Sequence, residues 1–193
     1  MKQIIEQKTA EEARNRQFFI TSEIIIAFSS SHFRVSGSTV TRIDSEGWAG
    51  CFTKTVSKGI HRLSIKTEAL YAMIGVCATA EHPGYLMKGT YTSPKAAMMF
   101  NCDGNLYSVS KRPFKNNPVK KWEEWSAEAD LEKRTLHFFI NGEQQPHHFI
   151  NIPVPLVFAI DAHYKDISIE ITFWGEETRS HVTFEGTGHN LGG

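Results

Sequence analysis

Residues 130–142, which read DLEKRTLHFFING, decide the fold of this chain. Thr135 to Ile140 is a run of β-branched, aromatic and aliphatic residues, which favours a β-strand. The Asn-Gly pair at 141–142 is preferred in two-residue hairpin turns, because both positions adopt a positive φ. Phe139 points to the opposite face of the strand from Phe138 and Ile140, so both faces are apolar. This pattern predicts a β-sandwich strand whose outer face is covered by another segment, for which we expect an N-terminal helix.

Similar strand signals occur on both sides of this hairpin. Residues 59–67 alternate between apolar and polar side chains, and residues 72–77 form a short apolar run. Asp103-Gly104 is a second strong hairpin signal. Residues 154–162 and 167–173 are typical of an antiparallel pair of strands. Many short strands separated by turn residues predict an all-β fold, an antiparallel two-sheet β-sandwich.

The length of 193 residues suits one domain. Before residue 18, acidic residues near a possible capping Thr9 and later basic residues indicate a helix. From residue 18 onward the sequence consists of short apolar runs separated by turn residues. We therefore expect an N-terminal helical extension over residues 1–17 and the sandwich over residues 18–185. The glycine-rich end predicts a flexible tail over residues 186–193.

The balance of charges restricts the partners of the chain. Lys+Arg and Asp+Glu both number 21, and this neutrality argues against a broad nucleic-acid or membrane surface. The three cysteines, Cys51, Cys77 and Cys102, are far apart and form no CxxC pair, which indicates reduced thiols in a cytoplasmic protein. The sequence contains no phosphate-binding glycine loop and no CxxC pair, so we expect no cofactor and no metal.

Three sequence blocks occur in an order and spacing that resemble the SPRY domain family. Residues 59–66 followed by Met-Ile-Gly-Val-Cys at 73–77 look like the opening strands of that family. Residues 103–108 are similar to its central hairpin, and residues 130–142 match its most specific motif. The resemblance covers roughly residues 30 to 175 and implies a concanavalin A-like sandwich. It leaves the charged stretch at 111–129 unmatched.

The resemblance to SPRY domains implies a non-catalytic module that binds a peptide or protein partner through loops at one edge of the sandwich. Loops carry such functions because the strands hold them rigidly. The resemblance places these residues of the chain on that surface: Arg42, Asp44, Tyr85, His163, Tyr164 and Lys165. We expect a cytoplasmic monomer that acts as an adaptor and binds neither nucleic acid nor membrane.

An enzymatic alternative rests on Glu128, Asp130 and Glu132, which would share one face of a strand. A retaining glycosidase needs two carboxyl groups about 5 Å apart. Concanavalin-like endoglucanases carry a similar E-x-D-x-E strand, which would make this chain a glycan-binding or glycoside-hydrolysing domain. However, Lys133 and Arg134 follow at once, which indicates a solvated hairpin tip at Glu132 and a turn-forming Asp130.

Other patterns leave two further alternatives. Trp122 and Trp125 could form a recognition patch, although one such tryptophan usually covers the core. Adjacent His147 and His148 would point to opposite faces of a strand, which argues against a metal site. The aromatic loops could also form a homotypic interface, which would make the chain a structural or oligomerising domain.

Overall fold

The computed structural model describes residues 25–26, 32–44, 47–79, 93–108 and 114–191. These residues form sixteen strands and no helix, and hence no helix that could cross a membrane occurs in the described part of the chain. The strands are β1 (Ile25–Ile26), β2 (Phe33–Ser36), β3 (Thr39–Arg42), β4 (Ala49–Thr53), β5 (Ile60–Thr67), β6 (Ala72–Ala78), β7 (Ala96–Phe100), β8 (Asn105–Tyr107), β9 (Phe114–Lys115), β10 (Trp125–Asp130), β11 (Thr135–Ile140), β12 (Glu143–Gln144), β13 (His147–Ile150), β14 (Leu156–Ala162), β15 (Ser168–Glu177) and β16 (Thr187–Asn190).

The strands make two sheets that pack face to face, as predicted. One sheet has seven strands in the order β1-β4-β14-β6-β7-β8-β9. The other has nine, in the order β16-β13-β11-β10-β5-β15-β3-β2, with β12 paired to β11. All the pairings are antiparallel except that of β13 with β16. The all-β antiparallel sandwich is therefore confirmed.

The hairpin of β10 and β11 lies near the middle of the nine-stranded sheet. Trp125 pairs with Ile140 at one end and Asp130 with Thr135 at the other. Asn141 and Gly142 have φ values of 50° and 80°, which confirms the predicted two-residue turn between β11 and β12. Phe138 is fully buried in the core between the sheets. Burial of such a side chain stabilises the fold by about 1.5–3 kcal/mol.

The outer face of β11 is covered by residues that follow β15 in the chain. The ring of Phe139 lies 5.6 Å from the Arg62 guanidinium carbon and 6.4 Å from the His181 ring centroid. His181 belongs to residues 180–188, named here the covering segment, which follows β15 and leads into β16. The N-terminal helix expected over residues 1–17 lies outside the described residues.

The outer face of the seven-stranded sheet carries a second apolar cluster, which includes the buried Phe52, Met73 and Met98. Strand β6 can lie close to β7 here because residue 75 is glycine. A Cβ atom at Gly75 would lie 1.9 Å from the carbonyl oxygen of Ala97. This strand therefore admits no side chain at position 75 without movement of the backbone.

Residues 187–190 form a strand within the stretch 186–193 for which the sequence predicted a flexible tail. Strand β16 runs parallel to β13, and hydrogen bonds from Thr187 N to Pro146 O and from Leu191 N to Ile150 O, 2.7 and 3.0 Å long, flank the pairing. Leu191 is buried against the core. The sandwich therefore continues beyond the expected boundary at residue 185, because backbone hydrogen bonds and one apolar anchor offset the entropy of the glycines.

Candidate functional site

Loops from both sheets meet at one edge of the sandwich, named here the loop edge: residues 43–44, 47–48, 68–71, 101–104, 116–124 and 163–167. In the nine-stranded sheet these loops follow β3 and β5 and precede β10 and β15. In the seven-stranded sheet they precede β4, β6 and β8 and follow β14 and β7. Loops held by both sheets can present a surface with little freedom to move.

Backbone hydrogen bonds tie these loops to one another. His163 N donates to Tyr71 O at 3.3 Å, and Asp166 N donates to Arg42 O at 2.8 Å. Trp122 N donates to Thr67 O at 3.0 Å, which brings the 116–124 loop against the β5–β6 loop. Residues far apart in the chain therefore form one continuous surface.

The loop edge contains most of the large apolar side chains that remain exposed. Eight such residues occur in the described part of the chain, and five of them lie here. Their exposed fractions are 37% for Ile43, 47% for Leu70, 42% for Tyr71, 55% for Trp122 and 49% for Tyr164. A concentration of exposed apolar side chains at one edge is typical of a protein-interaction surface.

An aromatic cluster supports the exposed rings from below. The Tyr71 and Tyr164 rings meet edge to face, with centroids 5.1 Å apart and planes at 85°. The His163 ring lies 4.5 Å from Tyr164 and 5.1 Å from Trp48, and Trp48 in turn lies 5.6 Å from Phe100. Such edge-to-face contacts hold each ring in one orientation.

Arg42 and Asp44, both expected to contact a partner, pair with each other in the structure. The Arg42 side chain is completely buried, and its Nη2 lies 2.5 Å from Asp44 Oδ1. Its guanidinium also donates to the Gly47 carbonyl at 3.3 Å and lies over the Phe33 ring. These contacts position the loop that carries Ile43, and they leave the guanidinium no outward face.

The Asp44 carboxylate receives help from a second group, His32, which is hydrogen-bonded to it. Burial raises the pKa of Asp44, but the His32 hydrogen bond and the Arg42 charge outweigh that effect, so the pKa lies below its usual value. Asp44 therefore remains ionised and keeps the buried arginine paired. An unpaired arginine at this depth would strongly destabilise the loop.

The other predicted contact residues are divided between the surface and the undescribed part of the chain. Tyr164 and Lys165 are exposed, and His163 is half-buried beside them. Tyr85 lies outside the described residues. Sequence reasoning missed Leu70 and Tyr71, which follow Glu68-Ala69 in a short turn. Two consecutive large apolar residues between the predicted strands at 59–67 and 72–77 were the signal available.

The two tryptophans of the 111–129 stretch differ in exposure, as expected if one of them covers the core. Trp125 is buried in β10, whereas Trp122 is the most exposed large apolar residue in the described part of the chain. Trp122 also adopts a φ of 63°, which is uncommon for a bulky residue. The stretch contains β9, the 116–124 loop and the start of β10.

The three carboxylates considered for glycoside hydrolysis do not face a common opening. Glu128 is 1% exposed, and it accepts hydrogen bonds from Ser180 Oγ at 2.7 Å and His181 N at 3.0 Å, with His181 Nδ1 2.6 Å from its other oxygen. Asp130 accepts from the backbone N–H groups of Glu132 and Lys133, at 3.2 and 2.9 Å. Glu132 is exposed in the turn, as the hairpin-tip interpretation predicted.

The two histidines of β13 belong to separate pairs of rings, and Cys51 lies in the other sheet. His147 Nδ1 lies 3.1 Å from His189 Nε2, while His148 stacks on His137 from the other face of β13. The described residues contain no group of three side chains that could hold a metal ion. Burial raises the pKa of the Cys51 thiol to about 12, so Cys51 remains protonated and unreactive.

Among known proteins, similarity to this chain is found with solved structures. No family model matches the sequence, and no curated protein matches it either. The structure is similar to the SPRY domain of human HERC1, with a TM-score of 0.64, 15% identity, and coverage of 81% of this chain and 99% of that domain. It is also similar to a human SPRY domain (TM-score 0.59, 14% identity, 73% and 94% covered).

A third similar structure is the PSpry domain of TRIM65, with a TM-score of 0.59 and 11% identity. This likeness covers 82% of the present chain and 96% of the TRIM65 domain. The two-sheet topology and these three likenesses confirm the SPRY-like fold that the sequence blocks predicted.

Proposed function

We propose that this SPRY-like sandwich is a non-catalytic protein-interaction module that binds a peptide or protein partner through the loop edge. The observation that carries the proposal is that five of the eight exposed large apolar side chains among the described residues lie at that edge. The SPRY resemblance of the sequence blocks independently favours the same edge.

The chemistry of the loop edge suits protein recognition. Tyrosine and tryptophan dominate interface hot spots because each buries a large area and keeps a polar atom for hydrogen bonding. The rings of Tyr71 and Tyr164 are already held by contact with each other. Little conformational entropy is therefore lost when a partner covers them.

The site residues predicted from the sequence take two roles in this proposal. Tyr164 and Lys165 contact the partner directly, and His163 supports the Tyr164 ring. Arg42 and Asp44 are positioning residues, because their ion pair braces the loop that presents Ile43. Tyr85 enters the proposal on the sequence alone. The adaptor role, the cytoplasmic location and the monomeric state belong to the same proposal.

A capture experiment with matched variants tests the proposal. Wild type, Leu70→Ala/Tyr164→Ala and Val154→Ala/Phe184→Ala would be used as baits in the same lysate, with quantitative mass spectrometry as the readout. The second pair also removes exposed apolar side chains, but from positions outside the loop edge. Thermal unfolding of all three proteins would first show that their stabilities agree within a few degrees.

We expect wild type and the Val154/Phe184 variant to capture the same proteins, and the Leu70/Tyr164 variant to lose them. A purified captured protein should then bind wild type and not the Leu70/Tyr164 variant. Equal capture by all three baits, or no capture by any, would contradict the proposal. Sedimentation velocity on each protein would test the homotypic alternative, which requires self-association that the Leu70/Tyr164 variant abolishes.

A further inference from the structure

A cavity of about 460 Å³ lies on the outer face of the nine-stranded sheet, beneath the covering segment. It is near the turn that joins β10 to β11, at the opposite end of these strands from the loop edge. Its lining residues are polar or charged with few exceptions: Asp130, Lys133, Thr135, His137, His148, Ser180, Val182, Glu185, Gly186 and Gly188. The proposed function uses none of them.

Two stacked imidazoles form the floor of this cavity. His137 and His148 occupy neighbouring strands, and their ring centroids lie 4.2 Å apart with planes 15° from parallel. Burial lowers the pKa of His137 to about 4, and burial also lowers the pKa of His148. Both rings are therefore neutral near pH 7, and each has one nitrogen that accepts hydrogen bonds.

One of these nitrogens lacks a partner. Gln144 Nε2 lies 3.4 Å from His137 Nδ1. His148 is 7% exposed, and its Nδ1 makes no hydrogen bond to any described residue. That nitrogen has almost no accessible surface, so a ligand in the cavity would reach His148 through Nε2, which lies beside Gly188 in the cavity lining.

The charges around the stack favour a cation. Asp130 is compensated by Lys133, whose Nζ lies 3.2 Å from its Oδ2. The negative charge of Glu185 partly offsets the lowering of the His148 pKa. The Glu185 carboxylate forms no hydrogen bond or ion pair within the described part of the chain. The cavity therefore has one uncompensated carboxylate beside a neutral acceptor nitrogen, an arrangement that disfavours anions.

The geometry of the rings argues against a metal ion. Ring nitrogens direct their lone pairs in the plane of the ring, so two parallel rings cannot point them at one ion between them. The described residues also supply no third ligand close enough to complete a site. An organic cation with several hydrogen-bond donors fits the same acceptors without this restriction.

We propose that the cavity beneath the covering segment is a second binding site, which takes the guanidinium group of an arginine side chain from a partner protein. The guanidinium donates one hydrogen bond to the Glu185 carboxylate and another to His148 Nε2. Its planar fork of five donors allows both bonds at once, which a lysine ammonium achieves less readily. The site is independent of the loop edge.

An NMR titration with two nearly isosteric probes tests this site. N-acetyl-arginine amide and its neutral counterpart N-acetyl-citrulline amide would be added to the intact chain at pH 7.5, with the ring signals of His137 and His148 as the readout. Glu185→Gln removes the uncompensated carboxylate, and Glu170→Gln is the charge-matched control on the exposed side of β15.

We expect saturable shifts of both histidine signals with the arginine probe and none with citrulline. Glu185→Gln should weaken binding about tenfold, which corresponds to one charge-assisted hydrogen bond, and Glu170→Gln should bind as wild type does. Equal responses to the two probes, no response to either, or equal weakening by the two variants would overturn the proposal.

Discussion

Replacement of His137 by phenylalanine should remove a large part of the acid sensitivity of this fold. His137 lies in the middle of β11, is almost fully buried and stacks on His148. Burial is the main cause that lowers its pKa from 6.5 to about 4, and the neighbouring His148 and Lys133 lower it further, while Asp130 opposes them. Phenylalanine keeps a flat ring against His148 but cannot bind a proton.

The sign and size of the effect follow from proton linkage. Between pH 6.5 and about 4 the unfolded chain binds a proton at residue 137 that the folded chain does not, so stability falls as the pH falls. Each unit of pKa corresponds to about 1.4 kcal/mol, so the complete loss is about 3 kcal/mol. About 2 kcal/mol of it occurs between pH 7 and pH 5.

Urea unfolding followed by tryptophan fluorescence at pH 7.0 and pH 5.0 measures this loss. Wild type is compared with His137→Phe and His137→Gln. Neither variant has a titrating group at residue 137, and the two differ in how they pack, so an effect common to both reports the lost titration. Both variants should lose about 2 kcal/mol less than wild type over this range, whatever their stability at pH 7. If wild type and both variants lose the same free energy, the reasoning about the stacked pair is refuted.

Three further predictions concern single positions. Trp122 has a φ of 63°, so Trp122→Asn should raise the free energy of unfolding by about 1 kcal/mol in a thermal melt while it weakens binding at the loop edge; a loss of stability would show that the indole packs instead. Gly75→Ala should cost about 3 kcal/mol in urea unfolding, because its Cβ would lie 1.9 Å from Ala97 O; a cost below about 1 kcal/mol would contradict the close strand approach. Glu128→Gln should lower stability by about 2 kcal/mol through weaker bonds to Ser180 and His181, and an unchanged urea midpoint would refute that anchoring role.

The parts of the fold that could be predicted are those with local signals. The Asn141-Gly142 turn was predictable because few residue pairs adopt two positive φ values. Asp130 was predictable as a turn former because its side chain bonds the backbone two and three residues later. In both cases the interacting atoms are close in the chain, so the residue types alone carry the information.

The candidate site was predictable only in part, because its contacts join distant segments. Tyr164 was expected at the edge, but its contact with Tyr71 spans more than ninety residues of chain. Arginine is a residue type common at interfaces, so the sequence suggested that Arg42 faces a partner. Only its ion pair with Asp44 and its contact with the Phe33 ring show that it points inward. Charge and size at one position do not reveal which way a side chain points.

The amino-acid sequence by itself therefore determined the longer strands, the Asn141-Gly142 turn and the all-β class, since periodicity and turn chemistry act over a few residues, and its resemblance to SPRY domains implied the sandwich. The tertiary structure alone decided which exposed side chains share an edge and which histidines stack. It also decided that residues 187–190 become β16, where a Cβ atom at Gly188 would lie 3.1 Å from His148 Nε2. The physical reason is that burial and strand pairing depend on all the neighbours that folding brings together, and no short stretch of the chain contains them.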